Sequence, residues 1–201
     1  MLTTTERLPT RIRSALLEVA PDHAVVPFRF KTAAATSAAI LREIETVART
    51  LAEAVPAARV ELEGYGSQTQ KLGGKGLFGG GVRTAAQVSG RVVLPMAPKA
   101  DFMARVTTVE ELRGRLEAVD LHEGSLGVGE CQFALIDRES HRVAAYAALR
   151  ARADRLAEAY GLTVERLVTT GELSVEIAGP CAAFVSLDAT LHFRAPPDMP
   201  G

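Results

Sequence analysis

The segment with the most distinctive candidate chemistry is Lys71-Leu72-Gly73-Gly74-Lys75-Gly76-Leu77-Phe78-Gly79-Gly80-Gly81. It contains a formal GxGxxG at Gly74, Gly76 and Gly79. A dinucleotide site needs that pattern between a strand and a helix, so that the helix N-terminus faces the pyrophosphate. Here a strand is predicted to follow, which removes the helix dipole. A Walker A reading fails because no Lys-Ser or Lys-Thr closes the pattern. A kinase-type glycine loop does lie between strands, but the catalytic-loop and DFG motifs are missing. The segment therefore reads as a hairpin loop that is flexible or orders on self-association, with anion binding as the alternative. Lys71, Lys75, Gly76, Phe78 and Arg83 are the candidate interface or anion contacts.

The charge around this loop is segregated. No Asp or Glu occurs from Gly64 to Ala100, where Lys71, Lys75, Arg83, Arg91 and Lys99 give +5, although the whole chain carries −1. A positive loop of this kind can be steered onto a negative patch of a neighbouring subunit. The bland reading is a set of solvated charges around a turn.

Other chemistry finds little support. His23, His122, His141 and His192 lie far apart, without HxxxH or HExxH spacing. Asp137-x-Glu139-x-His141 has a ligand-like look but sits where a helix cap belongs. No GxSxG or Cys–His motif marks a nucleophile, and Glu61 and Glu63 are predicted to face solvent from a strand. Cys131 and Cys181 lack CxxC spacing and read as two buried, reduced thiols. No catalytic residue, cofactor or metal ligand is assigned, and the expectation is a protein without enzymatic activity. Arg150 and Asp154 have ion-pair spacing on a helix whose acids and bases interleave, which favours a solvated face over nucleic-acid binding.

Composition sets the outer limits. The chain has 201 residues, 47% hydrophobic and 23% charged, with no Trp and 5% aromatics. A core of Val, Leu, Ile and Ala is implied, and stacking platforms for single-stranded nucleic acid are disfavoured. Near-neutral charge offers nothing global to a polyanion or membrane surface. No signal-like apolar run opens the chain and no window approaches a membrane span, so a cytoplasmic location is expected.

The elements follow from periodicity. Val26, Phe28 and Phe30 alternate with Pro27, Arg29 and Lys31, which predicts a half-buried strand, with Pro27 at an edge or strand start. Ile40, Ile44, Val47, Leu51 and Val55 line one face of a helix from Ser37, capped by Thr36. Strands are expected at 59–65 and 84–96. Thr108-x-x-Glu111 fits a capping box opening a second helix. Gly127–Ile136 reads as one strand with Cys131, Phe133 and Leu135 on one face. Asp137 caps a long third helix with an inward stripe of Val143, Tyr146, Ala147, Leu149, Ala153, Leu156 and Tyr160, stopped at Gly161. Two alternating strands, one containing Leu173, Val175 and Ile177 and the other 185–194, close the chain around a Gly179-Pro180 turn.

The order is strand-helix-strand-strand, then helix-strand-helix-strand-strand. It predicts an α+β fold in which antiparallel sheets pack against helices. A single domain over 19–195 is expected, with the glycine-rich insertion at 71–81, an N-terminal extension at 1–18 and a disordered tail at 196–201.

Several of these residues carry a resemblance. Ala20-Pro21-Asp22-His23-Ala24-Val25-Val26, the alternating strand, and Thr32-Ala33-Ala34-Ala35-Thr36-Ser37-Ala38-Ala39 resemble the opening of SIMPL-domain proteins. The likeness continues through 59–65 and 88–94. It is strongest at Ile136-Asp137-Arg138-Glu139, the Ala/Arg-rich helix 144–160, and Gly161-Leu162 with the strand 164–168. The resemblance implies an α+β fold, homo-oligomeric assembly and a loose link to bacterial stress defence without an agreed activity. It says nothing about the glycine-rich insertion.

Overall fold

The computed structural model describes residues 9–71, 82–169 and 171–194. In chain order its elements are β1 (Thr10–Arg13), β2 (Leu17–Val19), β3 (His23–Ala34), α1 (Ser37–Ala54), β4 (Arg59–Lys71), β5 (Val82–Pro95) and α2 (Phe102–Glu117). They continue with β6 (Ser125–Val128), β7 (Gln132–Ala134), α3 (Arg138–Ala159), β8 (Thr163–Thr169), β9 (Ser174–Ile177), β10 (Ala183–Ser186) and β11 (Asp188–Arg194). Every strand pairing is antiparallel. The fold is α+β. The described chain forms two compact units, one over Asp22–Ala134 and one from the segments before and after it.

The Asp22–Ala134 unit is a sheet in the order β4-β5-β3-β6, with β7 also pairing β3. Its core is the predicted one. Val26, Phe28 and Phe30 of β3 and Val88 and Val92 of β5 meet Ile40, Ile44, Val47 and Leu51 of α1. Each such side chain, taken out of water, contributes about 1.5–3 kcal/mol before entropy is counted. Thr36 caps α1, its hydroxyl accepting from the Ala39 N–H at 3.2 Å. Gly90 is required by packing, because a Cβ there would lie 2.4 Å from the Glu61 carbonyl and 2.6 Å from the Phe28 ring.

Two expectations change in this unit. Helix α2 starts at Phe102, capped by Asp101, whose Oδ1 accepts from the Ala104 N–H at 2.8 Å. Thr108 lies inside the helix and donates its hydroxyl back to the Ala104 carbonyl, so the Thr108–Glu111 capping box does not form. The strand expected over Gly127–Ile136 breaks into β6 and β7. The break faces Pro27, which is internal to β3 rather than at an edge. The Pro27 carbonyl accepts from the Gly129 N–H at 2.8 Å. Its own nitrogen, on that same side, has no hydrogen to give a continuous partner strand.

The second unit joins two three-stranded sheets, β1-β11-β8 and β2-β10-β9, to α3. Residues 10–13 and 17–19, all but the last inside the segment expected as an extension, are strands of these sheets. The expected continuous strand 185–194 is divided at Leu187, which lies between β10 and β11. Ser14 holds that joint. Its N–H donates to the Leu187 carbonyl at 2.8 Å, and its hydroxyl accepts from the Leu187 N–H at 3.0 Å.

Helix α3 is capped by Asp137 and ends at Gly161 (φ +62), as expected. Its buried stripe is Ala145, Leu149, Ala153 and Ala157. Val143 (72% exposed), Tyr146 (44%) and Tyr160 (73%) therefore stand outside the stripe assigned to them. Ala145 and Ala153 have no bulk beyond Cβ, so the helix backbone can approach the sheet closely around Leu149.

Candidate functional site

Strands β4 and β5 form a long hairpin whose far end carries the predicted contacts. Lys71 is the last residue of β4 and pairs in register with Val82. Lys75, Gly76 and Phe78 lie outside the described residues. Arg83, near the start of β5, is exposed, and its Nε and Nη2 donate to the Ala33 carbonyl at 3.3 and 3.1 Å. Arg83 therefore ties the hairpin to the end of β3.

Around Arg83 the fold assembles an open cleft that it lines with Lys31, Thr32, Glu123 and Ser125. Glu43, on α1, accepts a hydrogen bond from the buried Thr32 hydroxyl. A hydrogen bond shared with Glu43 pushes the Glu123 carboxyl above the usual carboxylate range. Charge repulsion from Glu43 adds to the shift and Arg83 opposes it. Neither glutamate was a sequence-predicted site residue. They stand 80 positions apart in the chain, and only the packing of α1 beside the loop before β6 brings them together.

The near end of the hairpin carries a compact charge network. Glu61 pairs with Arg59 and with Arg91, whose Nε lies 2.7 Å from Oε2, and Glu63 reaches the same Nε at 2.9 Å. The hydrogen bond from Arg91 holds the Glu61 carboxyl below its ordinary range. These acids are occupied as ion-pair partners, in place of the simple solvent-facing pair expected. At Glu63 the register shifts between Leu62 and Gly64, a β-bulge that puts an extra residue in β4.

Beyond the bulge, β4 continues as Gly64-Tyr65-Gly66-Ser67-Gln68-Thr69-Gln70, with no charge before Lys71. Its other side pairs with no strand among the described residues. Natural edge strands are usually blunted by charge, Pro or shortness. Here the bulge and the charges are confined to residues 59–63, leaving a neutral rim of backbone N–H and C=O groups.

The remaining candidates behave as local structure. Asp137 caps α3, accepting from Ser140 N–H at 3.4 Å, while Glu139 pairs with Arg142 at 2.9 Å. Arg150 and Asp154 form the expected pair at 3.2 Å. Among the described residues no group of three or more His, Cys, Asp or Glu side chains could hold a metal. Cys181 is exposed and Cys131 half-buried, which corrects the reading of two buried thiols. Burial pushes the Cys131 thiol up, away from a reactive thiolate. No helix among the described residues is long and apolar enough to cross a membrane.

Comparison with known protein families gives a match over nearly the whole chain. The model of a family described as SIMPL, Protein of unknown function (DUF541), matches residues 14–200. No curated protein matches the chain. A solved structure, of an uncharacterized conserved protein from Listeria innocua, is 12% identical over 92% of this chain and 94% of that one, with a TM-score of 0.21.

Proposed function

Because this chain belongs to the SIMPL family, whose function is unknown, we propose a role from its own geometry: it is a non-enzymatic protein that works by self-association. The neutral rim of β4 from Gly64 to Gln70 carries this reading. An unpaired strand edge gains main-chain hydrogen bonds when a second strand is laid along it, and a second copy supplies the same edge. The glycine-rich segment that joins β4 to β5 extends the contact surface in this reading, with Lys71, Lys75, Gly76, Phe78 and Arg83 as its contacts.

Sedimentation velocity at tens of micromolar tests it. The wild-type chain is expected to run as a defined oligomer. Tyr65→Lys with Ser67→Lys, which places charge along the rim, should shift it toward smaller species while leaving circular dichroism unchanged. A wild-type chain that stays monomeric at that concentration overturns the proposal.

A further inference from the structure

Strand β3 is internal to its sheet, and α1 covers only one face of it. On the opposite face, Arg29 stands in a row between Ser89 of β5 and Gly127 of β6, and Gly64 of β4 extends the row. Lys31 stands in the next row between Gln87 and Ser125, extended by Gly66. The two cations are two residues apart on one face, so their Cα atoms are separated by roughly 7 Å. Both are exposed.

This placement gives the cations no counter-charge from the strands beside them. Residues directly across a sheet are the ones that compensate each other, and every cross-strand neighbour of Arg29 and Lys31 is Gly, Ser or Gln. The acid-free stretch from Gly64 to Ala100 supplies two of those strands, and Ser125-Leu126-Gly127-Val128 supplies the third. No carboxylate of the described residues forms an ion pair with either. Glu63 also lines the cleft on this face, with its carboxylate paired to Arg91 at 2.9 Å.

The small neighbours also make space. A cleft of about 540 Å³ opens on this face, lined by Pro27, Arg29, Lys31, Ser89, Ser125 and Gly127 among others. That size suits a small molecule. A guanidinium fork matches two oxygens of a carboxylate or phosphate, an ammonium adds a point charge, and two serine hydroxyls add donors.

We propose that this face binds a small molecule through a phosphate or carboxylate group, held by Arg29 and Lys31 with Ser89 and Ser125 as supporting donors. The site is separate from the β4 rim and does not depend on assembly.

Calorimetric titration with inorganic phosphate and with citrate, at low salt and neutral pH, tests the proposal. Saturable binding of at least one anion is expected, weakened about tenfold or more by Arg29→Gln and by Lys31→Gln, the loss of one charge-assisted contact. Arg150→Gln, on α3, should leave it unchanged. Phosphate binding without citrate binding, or the reverse, would identify the headgroup. Absence of saturable binding to both overturns the inference. So does affinity retained in both β3 variants, or lost equally in the Arg150 variant. Because Arg29 and Lys31 are exposed, melting curves of the variants should overlay the wild type and exclude unfolding as the cause.

Discussion

Arg105 donates from Nε to the Ala100 carbonyl at 3.0 Å while its side chain is completely buried. Its Nη2 also donates to the Ala97 carbonyl at 3.1 Å, so one guanidinium on α2 ties down the turn that leads into that helix. Replacing it removes a completely buried guanidinium and both of these hydrogen bonds from the turn. Arg105→Met should lower unfolding stability by about 2–4 kcal/mol. Arg105→Lys should recover only part, because one ammonium cannot copy a planar fork. Urea denaturation measures both, and an unchanged midpoint in the Met variant would remove Arg105 from the structural account.

The Glu43–Glu123 contact gives a pH dependence with a definite sign. The folded protein holds the Glu123 proton more tightly than the unfolded chain does, because the folded value is raised. Its contribution is present below the ordinary glutamate value of about 4.3 and is lost as pH rises through the raised folded value. Glu123→Gln should therefore raise the urea midpoint relative to wild type at pH 7, and the advantage should disappear below about pH 4. A variant less stable than wild type at pH 7 would contradict the assignment.

Two glycines should respond to alanine with opposite signs. At neither Gly161 nor Gly114 would a Cβ meet any atom within 4 Å, so crowding plays no part. Gly161 ends α3 at φ +62, where an L side chain strains the backbone, and Gly161→Ala should cost about 1 kcal/mol. Gly114 lies inside α2, where Gly114→Ala should add about 0.5–1 kcal/mol. Thermal denaturation of the two variants should bracket the wild type.

The α1 face was fully legible in the sequence. Ile40, Ile44, Val47 and Leu51 leave only one helical phase open, and Thr36 marks its start. Helix α3 misleads for the opposite reason. In an Ala- and Arg-rich helix several stripes look equally apolar, and the large residues Tyr146 and Tyr160 point to the wrong one. The start of α2 was hidden because Asp101 caps without a Glu three residues on, whereas Thr108 and Glu111 have that spacing by coincidence. The strand break opposite Pro27 was readable only once its partner was known.

The candidate site was legible in part. The acid-free stretch around the hairpin is visible in one dimension, and Arg83 could be singled out from it. That Arg29 and Lys31 face this stretch depends on register, which a one-residue slip would reverse. Arg105 and the Glu43–Glu123 contact follow no local spacing rule, so no periodicity announces them.

The Asp22–Ala134 unit is one uninterrupted run of chain, whereas β1 must wait for β11 and β2 for β10. On a ribosome, the uninterrupted unit therefore has every strand it needs before residue 135 has been added. The strands before Pro21 stay without partners until β10 and β11 have been made. Ser14 meets Leu187 only then, which orders the two closures in time by connectivity alone.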